Sequence, residues 1–218
     1  TSHLLANTAI PAQTGFGSYS SNLPDDAVVQ NRGVEMELST VNIRAKGFTW
    51  NTSINFTLPE NKLLSFPGIL GTTYANTYVV GQSLNLVTGY HSTGIVNGIA
   101  TVQDVNGDGV ITSGYSATGK SDYIILGNSD PKFYGGFNNT FSYKGLQLDF
   151  LFQFVKRKAT RGDLNFSSYP GLNYNLPVTM TELPLKYSSS SGTTATNAYG
   201  YYTGSDAAFE DASFIRLK

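Results

Sequence analysis

Two stretches of this sequence alternate residue by residue between apolar and small polar side chains. Successive side chains of a β-strand point to opposite sides, so this pattern predicts strands with one apolar face and one neutral polar face. Helical periodicity is nearly absent, which predicts an all-β fold. In the first stretch the two sets are Phe48, Trp50, Ile54, Phe56 and Leu58 against Thr49, Asn51, Ser53, Asn55 and Thr57.

Each stretch belongs to a predicted β-hairpin. Val34, Met36 and Leu38 alternate with polar residues before the turn signal at Lys46-Gly47, which predicts a hairpin over residues 33–58. The second hairpin covers residues 132–156 and also turns at Lys-Gly. Each arm has about the 9–11 residues that a tilted strand needs to cross a bilayer. On its apolar side the second hairpin carries Phe133, Gly135, Phe137, Asn139, Phe141 and Tyr143, then Leu146, Leu148, Phe150, Phe152 and Phe154.

Long connections join these hairpins to the rest of the chain. Residues 7–32, 59–131 and 157–210 are rich in Gly, Asn, Ser and Thr, and we expect them to be irregular loops. Short turns at one end of a sheet and long loops at the other are typical of outer-membrane barrels, and compact soluble domains rarely have such loops. The strands expected are 1–6, 33–44, 47–58, 132–142, 146–156 and 211–218.

A soluble β-sandwich would produce the same alternation, with the apolar face turned onto a core. The placement of the rings favours the barrel. Phe48 and Trp50 lie beside one turn, and Phe141 and Tyr143 lie beside the other. Together they would form an aromatic girdle at a single bilayer interface. The sequence therefore predicts a partial antiparallel transmembrane β-barrel with long loops.

Composition excludes several other classes. The chain has 14 basic and 15 acidic side chains, a net charge of -1, so we expect no nucleic-acid partner. It has no Cys, which excludes disulfides and thiolate metal sites. No window has the roughly 20 consecutive apolar residues of a membrane helix, so only strands could span a bilayer. His3 and His91 lie far apart with no triad-like arrangement, and we expect no enzyme.

One loop resembles half of a calcium site. Asp104, Asn106 and Asp108 take positions 1, 3 and 5 of a calcium loop, and the Val110 carbonyl would be the ligand at position 7. Position 12 is not acidic, so the bidentate ligand is missing unless Asp122 folds back. The alternative is an Asx-rich turn that needs no ion. Ca²⁺ is therefore a possible ligand and not a required cofactor. The candidate ligands are Asp104, Asn106, Asp108 and Val110.

Residues 114–121 fit the phosphate-loop pattern G-x-x-x-x-G-K-[ST]. That chemistry requires a helix directly after the loop, so that its N-terminus faces the phosphate. Here a strand-like apolar run, residues 123–126, follows instead. We expect no nucleotide site.

Two further groups are candidate contact surfaces. Tyr199, Tyr201 and Tyr202 could stack on sugar rings, although packing among the loops would also account for them. A basic group sits where a strand should emerge into a loop, and it could contact anionic lipid headgroups or lipopolysaccharide phosphates. The alternative is a solvated strand end. This basic group consists of Lys156, Arg157, Lys158 and Arg161.

Several motifs together resemble one known family. The most specific is LGNSDPKFYGGF at 126–137, followed by YKG at 143–145. Others are TGFGSY at 14–19, QNRGVE at 30–35, DVNGDGVIT at 104–112 and ASFIRLK at 212–218. In this order they are similar to the C-terminal part of SusC/RagA-type TonB-dependent outer-membrane transporters, the nutrient receptors of Bacteroidetes.

The resemblance implies a function that composition does not show. Such transporters are barrels with an N-terminal plug, are energised through TonB, and import glycans or peptides with a SusD-like surface lipoprotein. Residues 1–218 would then be a fragment of the C-terminal barrel, without the plug that contacts TonB. The loops would be extracellular, and the three tyrosines could contact substrate or lipoprotein. The alternative is a secreted soluble β-sandwich that binds carbohydrate or calcium in adhesion.

Overall fold

A computed structural model describes residues 5–9, 13, 15, 18–22, 27–162, 175–185 and 199–218. Within these residues the regular structure is almost entirely antiparallel β, which confirms the predicted all-β class. The strands are β1 (Leu5–Ala9), β2 (Ser18–Asn22), β3 (Val28–Ala45), β4 (Phe48–Ser65), β5 (Leu86–Tyr90), β6 (Ser92–Val96), β7 (Ile99–Val102), β8 (Tyr123–Asn128), β9 (Phe133–Tyr143), β10 (Leu146–Lys156), β11 (Lys158–Thr160), β12 (Phe209–Asp211) and β13 (Phe214–Leu217). No helix in this part of the chain is long and apolar enough to span a membrane.

Five of these strands form one sheet, here called the wall sheet, in the order β13-β10-β9-β4-β3. Both predicted hairpins are present, and they are neighbours because β4 pairs with β9. Lys144 and Gly145 have φ of 46° and 89°, the positive values that a two-residue hairpin turn requires. The Lys144 N–H donates to the Gly47 carbonyl at 3.1 Å, so the two turns lie side by side.

The two longest strands extend further than predicted. Strands β3 and β4 have 18 residues each, whereas the sequence predicted 33–44 and 47–58. Beyond the apolar stretch the side chains become polar, but the backbone ladder continues through pairs such as Arg32 with Glu60. Hydrophobic alternation therefore marks only the apolar part of each strand. The first strand, predicted at 1–6, is seen at Leu5–Ala9, and residues 1–4 lie outside the described residues.

The prediction that residues 7–32, 59–131 and 157–210 are irregular was wrong in part. The first contains β2 and the start of β3, the second contains β5 to β8, and the third contains β11 and most of β12. These strands pair as β1-β2, β5-β8, β6-β7 and β11-β12. Most are 3–6 residues long, which is too short for alternation to show. Strand β8 pairs with β5 from about 35 residues earlier, a partnership that no local pattern indicates.

Buried apolar side chains collect at the loop end of the molecule. One cluster, the rim cluster, is Ala27, Val29, Leu63 and Phe66, with Ile69, Tyr74, Tyr78 and Leu84 packed against it. A second, the loop cluster, joins the connections on either side of the second hairpin. Its buried members are Ala100, Met180, Leu183, Leu185, Tyr199 and Ala208. The long connections are therefore packed units with cores of their own.

The apolar face of the wall sheet has no such core. Residues that pair across the strands share a face, so Leu38, Ile54 and Phe137 lie in one row. Large side chains on this face are not covered by other parts of the described chain: Met36 is 62% exposed and Leu148 is 61% exposed. No second sheet covers this face in the described part of the chain, as a β-sandwich would require. The wall sheet is open at both edges, as expected for part of a barrel.

Gly135 on β9 allows a close approach that no other residue permits. A Cβ there would lie 2.2 Å from the Asn55 carbonyl oxygen and 2.6 Å from the Phe154 ring. We expect Gly135→Leu to cost about 3 kcal/mol or more, because backbone and ring would both have to move. The measurement is the urea midpoint of the complete receptor in detergent.

The control is Gly162→Ala, since no atom of the described residues lies within 4 Å of a Cβ at Gly162. We expect its midpoint to equal that of the wild type. An unchanged midpoint for Gly135→Leu would contradict the β4-β9 packing described here.

Candidate functional site

The candidate functional surface begins with the aromatic end of the apolar face. Phe48 pairs with Tyr143, and Trp50 pairs with Phe141, across β4 and β9. The Trp50 and Phe141 rings are stacked with centroids 5.4 Å apart, and the Phe48 centroid is 6.4 Å from that of Phe141. The four rings of the predicted girdle therefore form one cluster beside the two turns. An aromatic cluster of this kind suits a membrane-water interface.

At the end away from the turns, charged side chains mark the limit of the apolar face. Arg32 and Glu60 pair across β3 and β4, two positions beyond the Val34-Leu58 pair, with Arg32 Nε 2.6 Å from Glu60 Oε2. The apolar band therefore runs from Phe48 to Leu58. Ten steps along a strand tilted by about 40° correspond to a height of about 25 Å. This is the height of the apolar band of outer-membrane barrels, about 25 Å.

A hydrogen-bonded polar row crosses the apolar band near its aromatic end. The Asn139 side-chain oxygen accepts from Trp50 Nε1 and from Thr52 Oγ1, both at 2.9 Å. Asn42 Nδ2 donates to Thr52 Oγ1 at 2.6 Å. Asn139 is only 2% exposed, so these polar atoms are paired and shielded. Paired polar groups can be tolerated within a membrane. Asn139 on an otherwise aromatic strand face was the sequence signal for this row.

The other face of the wall sheet is polar. Glu35 pairs with Thr57 and Glu37 with Asn55, so both glutamates share the face of the Asn, Ser and Thr side chains. On β10 of the same sheet, Asp149 accepts hydrogen bonds from Thr140 and Gln147, both at 2.6 Å. Uncharged amides, hydroxyls and a few carboxylates are what a watery barrel lumen contains.

The loop that contains the predicted calcium ligands is closed by its own hydrogen bonds. Asp104 accepts from the N–H of Gly107 at 2.7 Å and of Gly109 at 2.8 Å. The Asp108 carboxylate accepts from the Val110 N–H at 2.8 Å, and the Asn106 side-chain oxygen accepts from the Asp108 N–H at 3.0 Å. These are the contacts of an Asx-rich turn. The described residues contain no group of three acidic or histidine side chains placed to hold a metal. Calcium binding stays a prediction.

Asp122 does fold back onto this loop. Its carboxylate accepts from the N–H of Val105 at 2.7 Å and of Thr112 at 2.7 Å, and more weakly from Asn106 at 3.4 Å. The side chain is fully buried. Hydrogen bonding, most of all from the Thr112 backbone, holds the pKa of Asp122 below its usual value even though burial opposes this. Asp122 therefore joins both ends of the loop as a charged acceptor.

The three predicted contact tyrosines lie among packed side chains. Tyr199 is 7% exposed and belongs to the loop cluster, and Tyr201 and Tyr202 pack against that cluster. The Tyr201 ring meets Tyr90 edge-on, with centroids 5.2 Å apart. Burial and the neighbouring Tyr123 and Tyr201 raise the pKa of Tyr90 to about 12. Contact of Tyr199, Tyr201 or Tyr202 with a substrate or partner stays a prediction.

The two long connections are joined by a side-chain hydrogen bond that the sequence did not predict. His91 Nδ1 lies 2.6 Å from Asp206 Oδ2, and the Ser92 N–H donates to Asp206 Oδ1 at 2.8 Å. Beside them the Tyr90 N–H donates to the Gly204 carbonyl at 2.9 Å. His91 and Asp206 are 115 residues apart, and no spacing rule connects them.

Two of the four residues of the predicted basic group have acidic partners within the chain. Lys156 Nζ pairs with Asp211, and this contact holds the pKa of that carboxyl well below its usual value. Arg161 Nε lies 3.6 Å from Glu210, and Lys158 Nζ lies 5.7 Å above the Phe209 ring. Contact of this group with lipid phosphates stays a prediction.

The phosphate-loop pattern at 114–121 is followed by strand β8. Strand β8 therefore occupies the position directly after the loop where phosphate binding requires a helix. The sequence pattern therefore matches without the loop-to-helix structure that phosphate binding needs.

Two curated proteins that are similar to this chain are both TonB-dependent receptors. No family model matches it. TonB-dependent receptor P26 of Formosa agariphila is 32% identical over 180 residues, 70% of this chain and 17% of the relative. TonB-dependent receptor P39 of the same organism is 29% identical over 199 residues, 71% of this chain and 19% of the relative. The chain thus spans about a fifth of the length of these relatives.

Solved structures of the RagAB peptide transporter have the same fold. One covers 99% of this chain with a TM-score of 0.63 and 20% identity. Another, titled as the RagAB peptide importer in the open-open state, covers 100% with a TM-score of 0.60 and 21% identity. In both cases this chain spans 24% of the larger chain. These names describe receptors and transporters rather than enzymes, as the sequence predicted. The family expected from the sequence is confirmed at the level of the TonB-dependent receptors: the chain is a segment of such a receptor, with the fold of the RagAB barrel.

Proposed function

We propose that this chain supplies part of the wall and the extracellular loops of a SusC-like outer-membrane transporter. The observation that carries the proposal is the uncovered apolar band of the wall sheet. It ends in aromatic rings beside the turns and in charged side chains about 25 Å away, the height expected of an outer-membrane barrel. The polar face then lines the lumen. The TonB-dependent relatives support an outer-membrane location.

The loop end faces the cell exterior in this proposal. Barrels of this type have short periplasmic turns and long extracellular loops, and both Lys-Gly turns lie at one end of the wall sheet. The packed connections, with the rim cluster and the loop cluster, would then stand outside the membrane. They offer a preformed surface for substrate and for a SusD-like lipoprotein.

The transported substrate is a peptide or a glycan. The RagAB structures are titled as those of a peptide importer, and they share the fold of this chain. Energy would come through TonB by way of a plug domain of the complete receptor. The alternative, a soluble β-sandwich module, would need a second layer over the apolar face, and the described part of the chain places no sheet there.

Fractionation of cells that express the complete receptor tests the proposed location. We expect the receptor in the outer-membrane fraction, released by detergent and not by high salt or carbonate. The control is Gly162→Ala, which leaves the wall sheet untouched. A receptor that stays soluble without detergent would refute the proposal and favour the β-sandwich.

A further inference from the structure

The loop-end border of the apolar band carries a lysine that no acidic group neutralises. Lys132 directly precedes Phe133 of β9, and its N–H donates to the Lys156 carbonyl at 2.7 Å. Its side chain is exposed. Among the described residues no carboxylate lies within 4 Å of Lys132 Nζ, whereas Lys156, Arg161 and Arg32 each have an acidic partner.

Lys132 lines a groove at this border. The groove has a volume of about 490 Å³, and we call it the β3-β4 groove. Val34 and Leu58 are its apolar lining residues and remain 55% and 41% exposed. The Arg32-Glu60 pair above them is neutral, so Lys132 leaves a net positive charge. The lining residues are Arg32, Gly33, Val34, Leu58, Pro59, Glu60 and Lys132.

A second groove lies on the other side of β9. It has a volume of about 370 Å³, and we call it the β10-β13 groove. Its walls include the rings of Phe133 and Phe154 and the side chain of Ile215, which is 75% exposed. Lys156 stands at its border. Lys132 lines the first groove and Phe133 lines the second, so both grooves reach the start of β9.

We propose that the two grooves together bind one phosphate-bearing, multiply acylated lipid of the outer leaflet. Acyl chains lie on Val34 and Leu58 in one groove and on Phe154 and Ile215 in the other. The phosphate contacts Lys132, with Lys156 beside it. Charge complementarity identifies the occupant. Exposed apolar side chains next to a lysine without an acidic partner match an anionic amphiphile and not a neutral one. This inference rests on the proposed membrane location of the apolar band.

Lipid capture by the complete receptor tests the proposal. The receptor is placed in phosphatidylcholine nanodiscs that contain either bis-phosphorylated lipid A or the same lipid without phosphates. Native mass spectrometry measures the bound lipid across a titration. We expect the phosphorylated lipid to be retained, and Lys132→Gln to weaken its apparent affinity about fivefold. Lys156→Gln should weaken it less, because Asp211 already pairs with that lysine.

Lys46→Gln is the matched control, since it removes the same charge at the turn end of the same sheet. We expect its affinity to equal that of the wild type. Equal affinities for Lys132→Gln, Lys156→Gln and the wild type would overturn the proposal, and so would retention that does not depend on the phosphates. A receptor found soluble in the fractionation would instead refute the proposed function. Normal fractionation with unchanged lipid affinities would refute this inference alone.

Discussion

Replacing Ile54 by lysine will block insertion of the receptor, whereas the same replacement at the next residue will be tolerated. Ile54 lies about midway between Phe48 and Leu58 on the apolar face of β4, where hydrocarbon would surround it. A lysine near the midplane of the lipid face of a barrel costs about 2–4 kcal/mol. Asn55 shares the polar face with Glu37, and a lysine there meets water and a carboxylate.

The two variants form a matched pair, because they add the same side chain at adjacent positions of one strand. The measurement is the fraction of receptor in the outer membrane that keeps the folded mobility on an unheated gel. We expect Asn55→Lys to match the wild type and Ile54→Lys to lose most of the folded species. Equal loss in both would contradict the assigned orientation of the sheet.

Replacement of Asp122 by asparagine should open the loop that follows β7. The buried carboxylate accepts from the N–H groups of Val105 and Thr112, both at 2.7 Å. An amide cannot accept on its nitrogen, so one of these buried donors loses its partner. An unsatisfied buried donor and the lost charge together cost roughly 2–4 kcal/mol. Hydrogen exchange of the Val105 and Thr112 amides should accelerate by at least about 30-fold.

Asp108→Asn is the control, because it makes the same chemical change at an exposed position of the same loop. In this variant we expect amide hydrogen exchange to change only near Asp108 itself. If Asp122→Asn left the exchange of Val105 and Thr112 at the wild-type rate, the role assigned to Asp122 would be wrong.

The same carboxylate should make the loop sensitive to acid. The pKa of Asp122 is lowered from its usual value of 3.8, so the unfolded loop binds a proton more readily than the folded one. Its stabilising contribution is therefore complete above pH 3.8 and is lost as the pH falls through the lowered value. Exchange of Thr112, corrected for intrinsic rates, should stay slow at pH 5 and become fast in stronger acid.

The wall sheet could be predicted because its strands repeat one pattern over many residues. Alternation from Phe48 to Leu58 identified β4, its apolar face and its turn, and the rings of Trp50 and Phe141 meet as expected. The ends of the strands could not be predicted. Backbone pairing continues past Leu58 to Ser65, where the alternation gives way to polar residues at 60–62 and then to Leu63, which is buried in the rim cluster.

The packed connections escaped prediction for a different reason. Their contacts join residues far apart in sequence, as His91 and Asp206 do, and each strand is too short to show a period. Lys132 was overlooked because it stands alone in the sequence, whereas the group from Lys156 to Arg161 is conspicuous. Only the structure shows that Asp211 and Glu210 neutralise two of that group, while Lys132 has no acidic neighbour among the described residues.

The central claim is that the ring-rich face of the wall sheet contacts hydrocarbon and the Asn/Thr face contacts water. This chain contains no Cys, so single cysteines can be placed at positions 53 to 58 of a cysteine-free receptor. Labelling by a water-soluble maleimide applied to outer membranes would then report whether each position contacts water. The account predicts labelling at 53, 55 and 57 and protection at 54, 56 and 58. Labelling without this alternation, or with the opposite parity, would contradict it.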